Sequence, residues 1–414
     1  MKRTLILLMA VALFTTGNTL MAHDFEVDGI FYKVISVANR EIAVTYRGRE
    51  FDPNNPPRNY RGEVNVPATV AYENYTYRVT TIGENAFEGC YELTKVTLPN
   101  GLLIIDRQAF ADCERLTDVD IPATVTGIHD RAFASCKAMK HVVIPASVTG
   151  LGDYAFEHCE GVESVRLEDS SSPLQSGYWG VSFDFPNVKS AYIGRNSGGW
   201  AATFDATYSW YANGKLEQVE FGPLVTEIPW GFMSTDCFNV TTLTIGANVT
   251  HISDGAFSGC ASVQSVVIPD KVKYIGANAF SGGFWEREMG LKELIIGQNV
   301  QEIGECAFAN CKQLKVVGVK NPNAFTIPEN AFEAMTYMNA TLYVPIGTKD
   351  AYKRTKYWVN FQQMEEGDIE AGMKHLTTKG SADWHTIDGI RLKNAPTQRG
   401  LYLKNNRKVT TTGL

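Results

Sequence analysis

The chain repeats itself at a fixed step of about 23 residues. Segments of the form Ile/Leu-x-x-x-Ala-Phe-x-x-Cys align without gaps, and each phenylalanine and cysteine keeps this step. A unit of this size cannot bury an apolar face alone, so successive units must stack and share one core. The repeat therefore predicts an elongated solenoid, although 414 residues would otherwise suggest two or three globular domains. The aligned pairs are Phe87 with Cys90, Phe110 with Cys113, Phe133 with Cys136, and Phe156 with Cys159.

Each cysteine is followed by a Leu-x-x-Val-x-Leu pattern that is typical of a short strand with alternate side chains in the core. Proline often ends this strand, as at Pro99 and Pro122, and a second short extended segment follows. Strands of successive units should pair in parallel about 4.8 Å apart. The Ala-Phe-x-x-Cys segment is expected to form a short helix or turn. We predict a repeat solenoid, a leucine-rich-repeat parallel β-sheet with short helices or turns, of about 11–12 rungs of about 23 residues.

The repeat and the regions outside it divide the chain into four predicted parts. Lys2 and Arg3 precede a short apolar run, which is typical of a secretory signal peptide, and no later run is long enough to span a membrane. Alternating apolar residues after it predict a β-hairpin that covers the first rung. The parts are a signal peptide at 1–22, an N-terminal β-hairpin cap at 23–62, the solenoid at 63–366 with insertions at 168–186, 195–214 and 281–290, and a C-terminal tail at 367–414.

The repeat motif Ile-Gly-x-x-Ala-Phe-x-x-Cys-x-x-Leu-x-x-Val-x-Ile-Pro resembles the BspA-type leucine-rich-repeat family, as does the ending from Ala340 to Tyr352. The resemblance covers roughly three-quarters of the chain. It implies a secreted or surface protein of a Bacteroidetes-type bacterium, with a role in adhesion to host matrix proteins, receptors or other cells. The binding residues of the family follow no fixed motif, so the resemblance assigns none here.

The C-terminal segment from Asp388 to Val409 resembles the tail shared by many exported Bacteroidetes proteins. Residues 389–414 contain six basic residues and no acidic residue. Two interpretations stay open, a sorting or attachment module and a small terminal β-hairpin with a basic surface. The chain ends in Thr410-Thr411-Thr412-Gly413-Leu414 rather than in the basic residue of the sorting pattern.

Charge and cysteine spacing restrict the chemistry of the chain. A net charge of −7 gives no reason to expect a nucleic-acid partner. The cysteines at the repeat position should be buried free thiols, and Cys306, outside that position, makes Cys306–Cys311 the disulfide to test first. Without a Cys-x-x-Cys or a nearby histidine pair we expect no metal, and without a phosphate-loop motif we expect no cofactor. Asp118 and Asp120 should face outward from one strand and form surface ion pairs with Lys95 and His141.

Two groups of residues are candidates for ligand binding. The outward positions of the predicted strands form a polar surface of mixed charge that suits protein or glycan contact. The insertions concentrate tryptophan and tyrosine, which could bind a ligand or instead cover degenerate rungs. The candidates are His141, Arg166 and Tyr192 on strands, and Tyr178, Trp179, Trp200, Trp210, Tyr211 and Trp285 in insertions.

The function predicted from these features is that of a secreted or cell-surface adhesion protein, not an enzyme, that binds proteins of a host or neighbouring cell. One alternative is a glycan-binding surface protein that uses the aromatic insertions. Another is a hydrolase with its site in residues 168–214, where Asp169, Asp184 and Asp205 occur without a histidine or cysteine.

Overall fold

A computed structural model describes residues 21–48, 51–52, 54–176, 185–196, 215–233, 237–282, 288–367, 369, 384–386, 400–404 and 407–411. No helix within these ranges is long and apolar enough to cross a membrane. Strands and two short helices alternate with turns. In chain order they are β1 (Phe25–Val27), β2 (Ile30–Ser36), β3 (Glu41–Thr45), β4 (Gly62–Asn65), β5 (Thr69–Tyr72), β6 (Tyr75–Ile82), β7 (Leu93–Thr97), β8 (Ile104–Ile105), β9 (Gly127–Ile128), β10 (His141–Ile144), β11 (Gly150–Leu151), β12 (Ser164–Leu167), β13 (Gln175–Ser176), β14 (Ser190–Ile193), β15 (Gln218–Phe221), β16 (Glu227–Ile228), β17 (Thr242–Thr244), β18 (His251–Ile252), β19 (Ser265–Val267), β20 (Tyr274–Ile275), β21 (Glu293–Ile296), β22 (Glu302–Ile303), β23 (Val316–Val319), α1 (Ala334–Asn339), β24 (Thr341–Val344), α2 (Lys349–Arg354), β25 (Gln363–Glu366), β26 (Trp384–Thr386), β27 (Gly400–Lys404) and β28 (Arg407–Thr411).

The N-terminal hairpin is built into the repeat rather than placed beside it. β1, β2 and β3 pair antiparallel, as the alternation of apolar residues predicts. β3 then pairs in parallel with β6, so the cap and the first rung share one sheet. Tyr60 ties the two together, because its hydroxyl donates to the Thr45 carbonyl at 2.5 Å and accepts from the Phe31 N–H. The predicted hairpin cap is confirmed.

Two parallel columns of strands run through the repeats. The longer strands pair in the order β4-β7, then β10-β12-β14-β15-β17, then β19-β21-β23-β24-β25. The shorter strands pair in the order β6-β8-β9-β11-β13 and then β16-β18-β20-β22. His141 pairs with Ser164, one repeat step along the chain, whereas Ser190 pairs with Gln218, a longer step. The longer step falls where an insertion was predicted. The predicted repeat solenoid with parallel sheets is confirmed.

The Ala-Phe-x-x-Cys segments form turns that carry a third column of hydrogen bonds between rungs. The Phe110 N–H donates to the Ala132 carbonyl at 2.7 Å, and the Gln108 N–H donates to Asp130 at 3.0 Å. In most rungs, two residues adopt a left-handed backbone conformation, which points their N–H groups toward the next rung. One lies directly before the alanine and the other directly before the cysteine. The first position holds Asn85, Gln108, Arg131, Tyr154, Asn278 and Cys306, and the second holds Asp112, Ser135, His158 and Asn310 among non-glycine residues.

Two side-chain ladders fill the core at fixed rung positions. Neighbouring Phe rings stack almost parallel, with centroids 5.0 Å apart between Phe110 and Phe133 and 5.1 Å apart between Phe133 and Phe156. The cysteine thiols at the repeat position are free and buried, as predicted. Several of these thiols donate to backbone of the preceding rung, as the Cys136 Sγ does to the Phe110 carbonyl at 3.2 Å. Equivalent bonds start from Cys113, Cys159 and Cys311.

The predicted strand at Asp118 does not form, and this is a correction to the expected continuous sheet. The Asp118 carboxylate accepts hydrogen bonds from the backbone N–H groups of Lys140 and His141, at 2.6 and 2.8 Å. Between β7 and β10, this side chain therefore accepts the hydrogen bonds that a strand carbonyl accepts elsewhere in the sheet. The His141 Nε2 lies 3.9 Å from the Asp118 carboxylate, which makes an ion pair when the imidazole is protonated, but the main partner of Asp118 is backbone.

The predicted insertion at 168–186 is partly a rung, because it contains β13, which pairs with β11. After β13, the Arg195 side chain bonds to earlier rungs and the Asn196 side chain bonds to the rung that follows. The buried Arg195 guanidinium donates to carbonyls, among them Pro145 and Val148 at 2.6 Å. Asn196 accepts from the Thr226 N–H and donates to its hydroxyl. Polar side chains therefore satisfy backbone groups where the short-strand column stops.

The last rungs are closed by α1, α2 and a short 3₁₀ turn at Trp358–Asn360. Trp358 is fully buried, and its indole N–H donates to the Phe325 carbonyl at 2.6 Å. β25 then pairs in parallel with β24. In the tail, β26, β27 and β28 form an antiparallel sheet that includes the expected hairpin, while its sorting role stays a prediction.

Replacing Phe133 by alanine should lower the free energy of unfolding by about 3–5 kcal/mol, because it leaves a cavity inside the ring stack. Urea titration followed by circular dichroism measures this loss. The exposed Arg115→Ala variant is the control and should change stability by no more than about 0.5 kcal/mol. A loss below about 1 kcal/mol in the Phe133 variant would contradict the ring stack as the core of the rung.

Candidate binding surfaces

The three strand candidates lie together on the outward face of one sheet. Arg166 is paired with Tyr192 in the strand register, and its guanidinium lies 3.9 Å from the Tyr192 ring centroid. His141 is in register with Ser164, with 2.9 Å between Nδ1 and the hydroxyl. Arg166 and Tyr192 are only 4% and 2% exposed, and His141 is half-buried. Their binding role stays a prediction, but a ligand would have little direct access to Arg166 and Tyr192.

Asp169 completes this cluster. Its carboxylate accepts a hydrogen bond from the Tyr192 hydroxyl at 2.8 Å. Burial raises the pKa of Asp169, with the Tyr192 hydrogen bond acting in the opposite direction. Burial also raises the pKa of Tyr192 well above its usual range. The contacts are those of a structural cluster that links the neighbouring strands β12 and β14. Asp184 and Asp205, the other carboxylates of the hydrolase hypothesis, lie outside the described residues.

The aromatic candidates of the insertions have no place among the described residues. Trp230, which neighbours them in sequence, lies in a turn after β16 and is 67% exposed. The glycan-binding alternative based on the insertions stays a prediction. The candidates Tyr178, Trp179, Trp200, Trp210, Tyr211 and Trp285 all lie outside the described residues.

Sequence reasoning missed an exposed cluster at the end of the N-terminal hairpin, here termed the hairpin tip: Ile35, Val37, Arg40 and Tyr75. The three apolar side chains are 49%, 79% and 50% exposed. Arg40 lies over the Tyr75 ring, with its Cζ 5.2 Å from the centroid. Val37, an apolar residue in the turn between β2 and β3, where polar residues are usual, was the signal that could have found it.

A buried carboxylate marks the first rung. The Glu88 Oε2 and Asn85 Oδ1 atoms are buried and, within the described part of the chain, have no hydrogen-bond partner. The Gln108 side chain donates weakly to the other Glu88 oxygen at 3.4 Å. Burial is the main cause that raises the pKa of Glu88 to about 7; the Asp112 charge acts in the same direction and Arg107 in the opposite one. The first rung therefore becomes less stable as Glu88 ionises.

The cysteines form no disulfide among the described residues, and the buried ladder thiols supply no nucleophile. Cys306 and Cys311 are both free, so the pairing chosen for testing does not form. Cys306 is half-buried and accepts a hydrogen bond from the Asn330 side chain at 3.3 Å. Burial raises the pKa of the ladder thiols, well above the usual value for Cys136 and Cys260. Raised pKa values keep these thiols protonated and unreactive.

The fold and the repeat signature define a leucine-rich-repeat solenoid. The family model for the BspA type leucine rich repeat region matches in six copies, over residues 71–179, 206–288 and 282–353. The chain therefore belongs to the BspA-type leucine-rich-repeat family. A comparison with curated proteins gives no match.

The chain is also similar to solved bacterial leucine-rich-repeat structures. A protein from Bacteroides ovatus is 19% identical, with 84% of this chain and 100% of that chain covered and a TM-score of 0.31. A leucine rich cell surface protein from Faecalibacterium prausnitzii is 20% identical, with 89% and 100% covered and a TM-score of 0.33. A protein from Bacteroides capillosus is 32% identical, with 34% and 95% covered and a TM-score of 0.28.

Native protein should react with dithionitrobenzoate at one thiol, that of Cys306, and denatured protein at all eight. Absorbance at completion counts the thiols. The Cys306→Ser variant should give no native reaction but seven thiols after denaturation. Rapid native reaction of several thiols would contradict the buried ladder.

The Glu88→Gln variant should be more stable than the natural chain at pH 8, and the difference should shrink towards pH 5. The folded-state pKa of about 7 exceeds the usual value near 4.3, so protonation favours folding and stability falls as pH rises through this window. Melting temperatures across pH 5–8 measure the effect. The exposed Glu305→Gln change is the control. A difference independent of pH would contradict the assignment.

Proposed function

We propose that the protein is exported and acts as a non-enzymatic adhesion protein that binds proteins of a host or of neighbouring cells. The observation that carries this proposal is the hairpin tip. Isolated apolar residues are ordinary on protein surfaces, but exposed tyrosine and arginine are enriched among the residues that carry binding energy at protein interfaces. At the tip, Val37 is 79% exposed beside the paired Arg40 and Tyr75.

The tip is held rigidly by the sheet beneath it. β3 is bonded on one side to β2 and on the other to β6. The Arg78 N–H donates to the Arg40 carbonyl at 2.8 Å, and the Arg78 guanidinium pairs with Glu41 at 2.9 Å. A surface that is ordered before binding loses less conformational entropy in a complex. This arrangement favours a defined protein partner.

Export is supported by the sequence of the first residues, where Lys2 and Arg3 precede an apolar run. Membership of the BspA-type family agrees with a location outside the cell, as the motif resemblance implies. The acidic net charge favours neither nucleic acid nor an anionic polymer as partner. These features point to an extracellular protein, of a host or of a neighbouring cell, as the partner.

The double variant Val37→Ser and Tyr75→Ala should lose at least about tenfold in affinity for extracellular matrix proteins, because it removes the apolar contacts of the tip. Binding of purified protein to an array of immobilised fibronectin, laminin and collagens measures this. The Ile346→Ser and Val359→Ser double variant is the control, since these residues are also exposed but lie near the last rungs.

Both variants should retain the circular dichroism spectrum and melting temperature of the natural chain. Equal binding by the tip variant and the natural chain would contradict the tip as the interface. Absence of binding to every protein on the array would contradict the proposed matrix partner.

A further inference from the structure

A polar groove lies between two turns of the C-terminal half of the solenoid. One turn follows β21 and the other follows β23, so the groove spans two neighbouring rungs. Its volume is about 470 Å³, within the range of small-ligand sites. The lining residues that matter are Gln298, Asn299, Gln301, Asn321, Asn323 and Phe325.

Hydrogen bonds to each other and to the neighbouring rung fix the walls of the groove. The buried Asn321 side chain donates to the Val300 carbonyl at 2.8 Å and accepts from the Asn323 N–H at 2.9 Å. The Asn299 amide donates to the Asp270 carbonyl at 2.7 Å. The two turns are therefore linked to each other and to the rung below. Such bonds hold a site in shape before a ligand arrives.

Three side-chain amides remain available at the surface of this groove. Gln298, Gln301 and Asn323 are exposed, and within the described ranges their side chains make no hydrogen bond. A carboxamide offers two donors and an acceptor with two lone pairs, so it can both give and receive hydrogen bonds from one hydroxyl-rich ligand. The groove thus presents matched donors and acceptors on fixed walls.

We propose that this groove binds a neutral carbohydrate. None of its lining residues is charged, which gives no attraction for sulfated or sialylated sugars. Phe325 adds an apolar surface for the C–H face of a sugar ring. The Phe325 ring is held in place by Trp358, which lies at 81° with ring centroids 5.7 Å apart. A protein partner would call for larger apolar anchors than this groove contains.

The groove is independent of the proposed protein-binding function. It lies on turns after β21 and β23, whereas the hairpin tip lies on β2, the turn between β2 and β3, and β6. Loss of one activity should leave the other unchanged, so the two proposals fail separately.

An array of neutral and anionic oligosaccharides, probed with the purified protein, tests the inference. The natural chain should bind neutral oligosaccharides and not their sialylated or sulfated forms. The Gln301→Ala and Asn323→Ala double variant should bind at least about tenfold more weakly, since it removes two hydrogen-bonding amides. Titration calorimetry with the strongest neutral binder from the array gives the affinities.

The matched control is the Gln264→Ala and Gln313→Ala double variant, which removes two exposed amides that precede β19 and β23 at the opposite ends of the strands. It should bind as the natural chain does, with an unchanged melting temperature. Three results would overturn the proposal: no neutral oligosaccharide bound, binding of anionic forms alone, or equal binding by the groove variant. Binding of peptides at the groove without any glycan would overturn it as well.

Discussion

The structure depends on one constraint: the backbone polar groups of a rung find most of their partners in neighbouring rungs. The long strands, the short strands and the left-handed turns each pass hydrogen bonds to the next rung. A buried N–H or carbonyl without a partner costs about 1–3 kcal/mol, so a rung cannot be shifted relative to its neighbours without loss. Stability therefore belongs to contacts between rungs, and the core ladders of Phe and Cys align because the backbones already do.

Where the repeat is interrupted, polar side chains substitute for backbone. The Asp118 carboxylate receives two backbone N–H groups that a strand carbonyl would otherwise serve. The Arg195 guanidinium satisfies several carbonyls near the point where the short-strand column stops. Burying an arginine is costly, and burial accordingly lowers the pKa of Arg195, while the charges of Glu168 and Asp169 act in the opposite direction. The interruptions are thus sealed by specific hydrogen bonds, and they separate the outward surface into distinct segments.

The sequence predicted what the repeat determines. Phe133 and Cys136 could be assigned to the core because their spacing recurs, and the strands followed from alternation. The left-handed turns could not be predicted, since Gln108 and Tyr154 are not residue types that favour that conformation. Tertiary hydrogen bonds between rungs impose it. The groove could not be predicted, because its amides come from two rungs and only the folded structure shows that they are exposed side by side. Burial of Arg166 and Tyr192 depends equally on packing that alternation does not encode.

The thiol ladder has a consequence for how the chain must be made. Cysteines that recur once in each repeat are close enough along an unfolded chain to be joined in small covalent loops. Once the rungs stack, the ladder thiols are buried, and several donate to a carbonyl of the preceding rung, as Cys136 does to Phe110. Oxidants can therefore reach the ladder thiols mainly before the protein folds. In an oxidising compartment, the rungs would have to stack faster than disulfides form. Slower folding would leave incorrect disulfides in the protein.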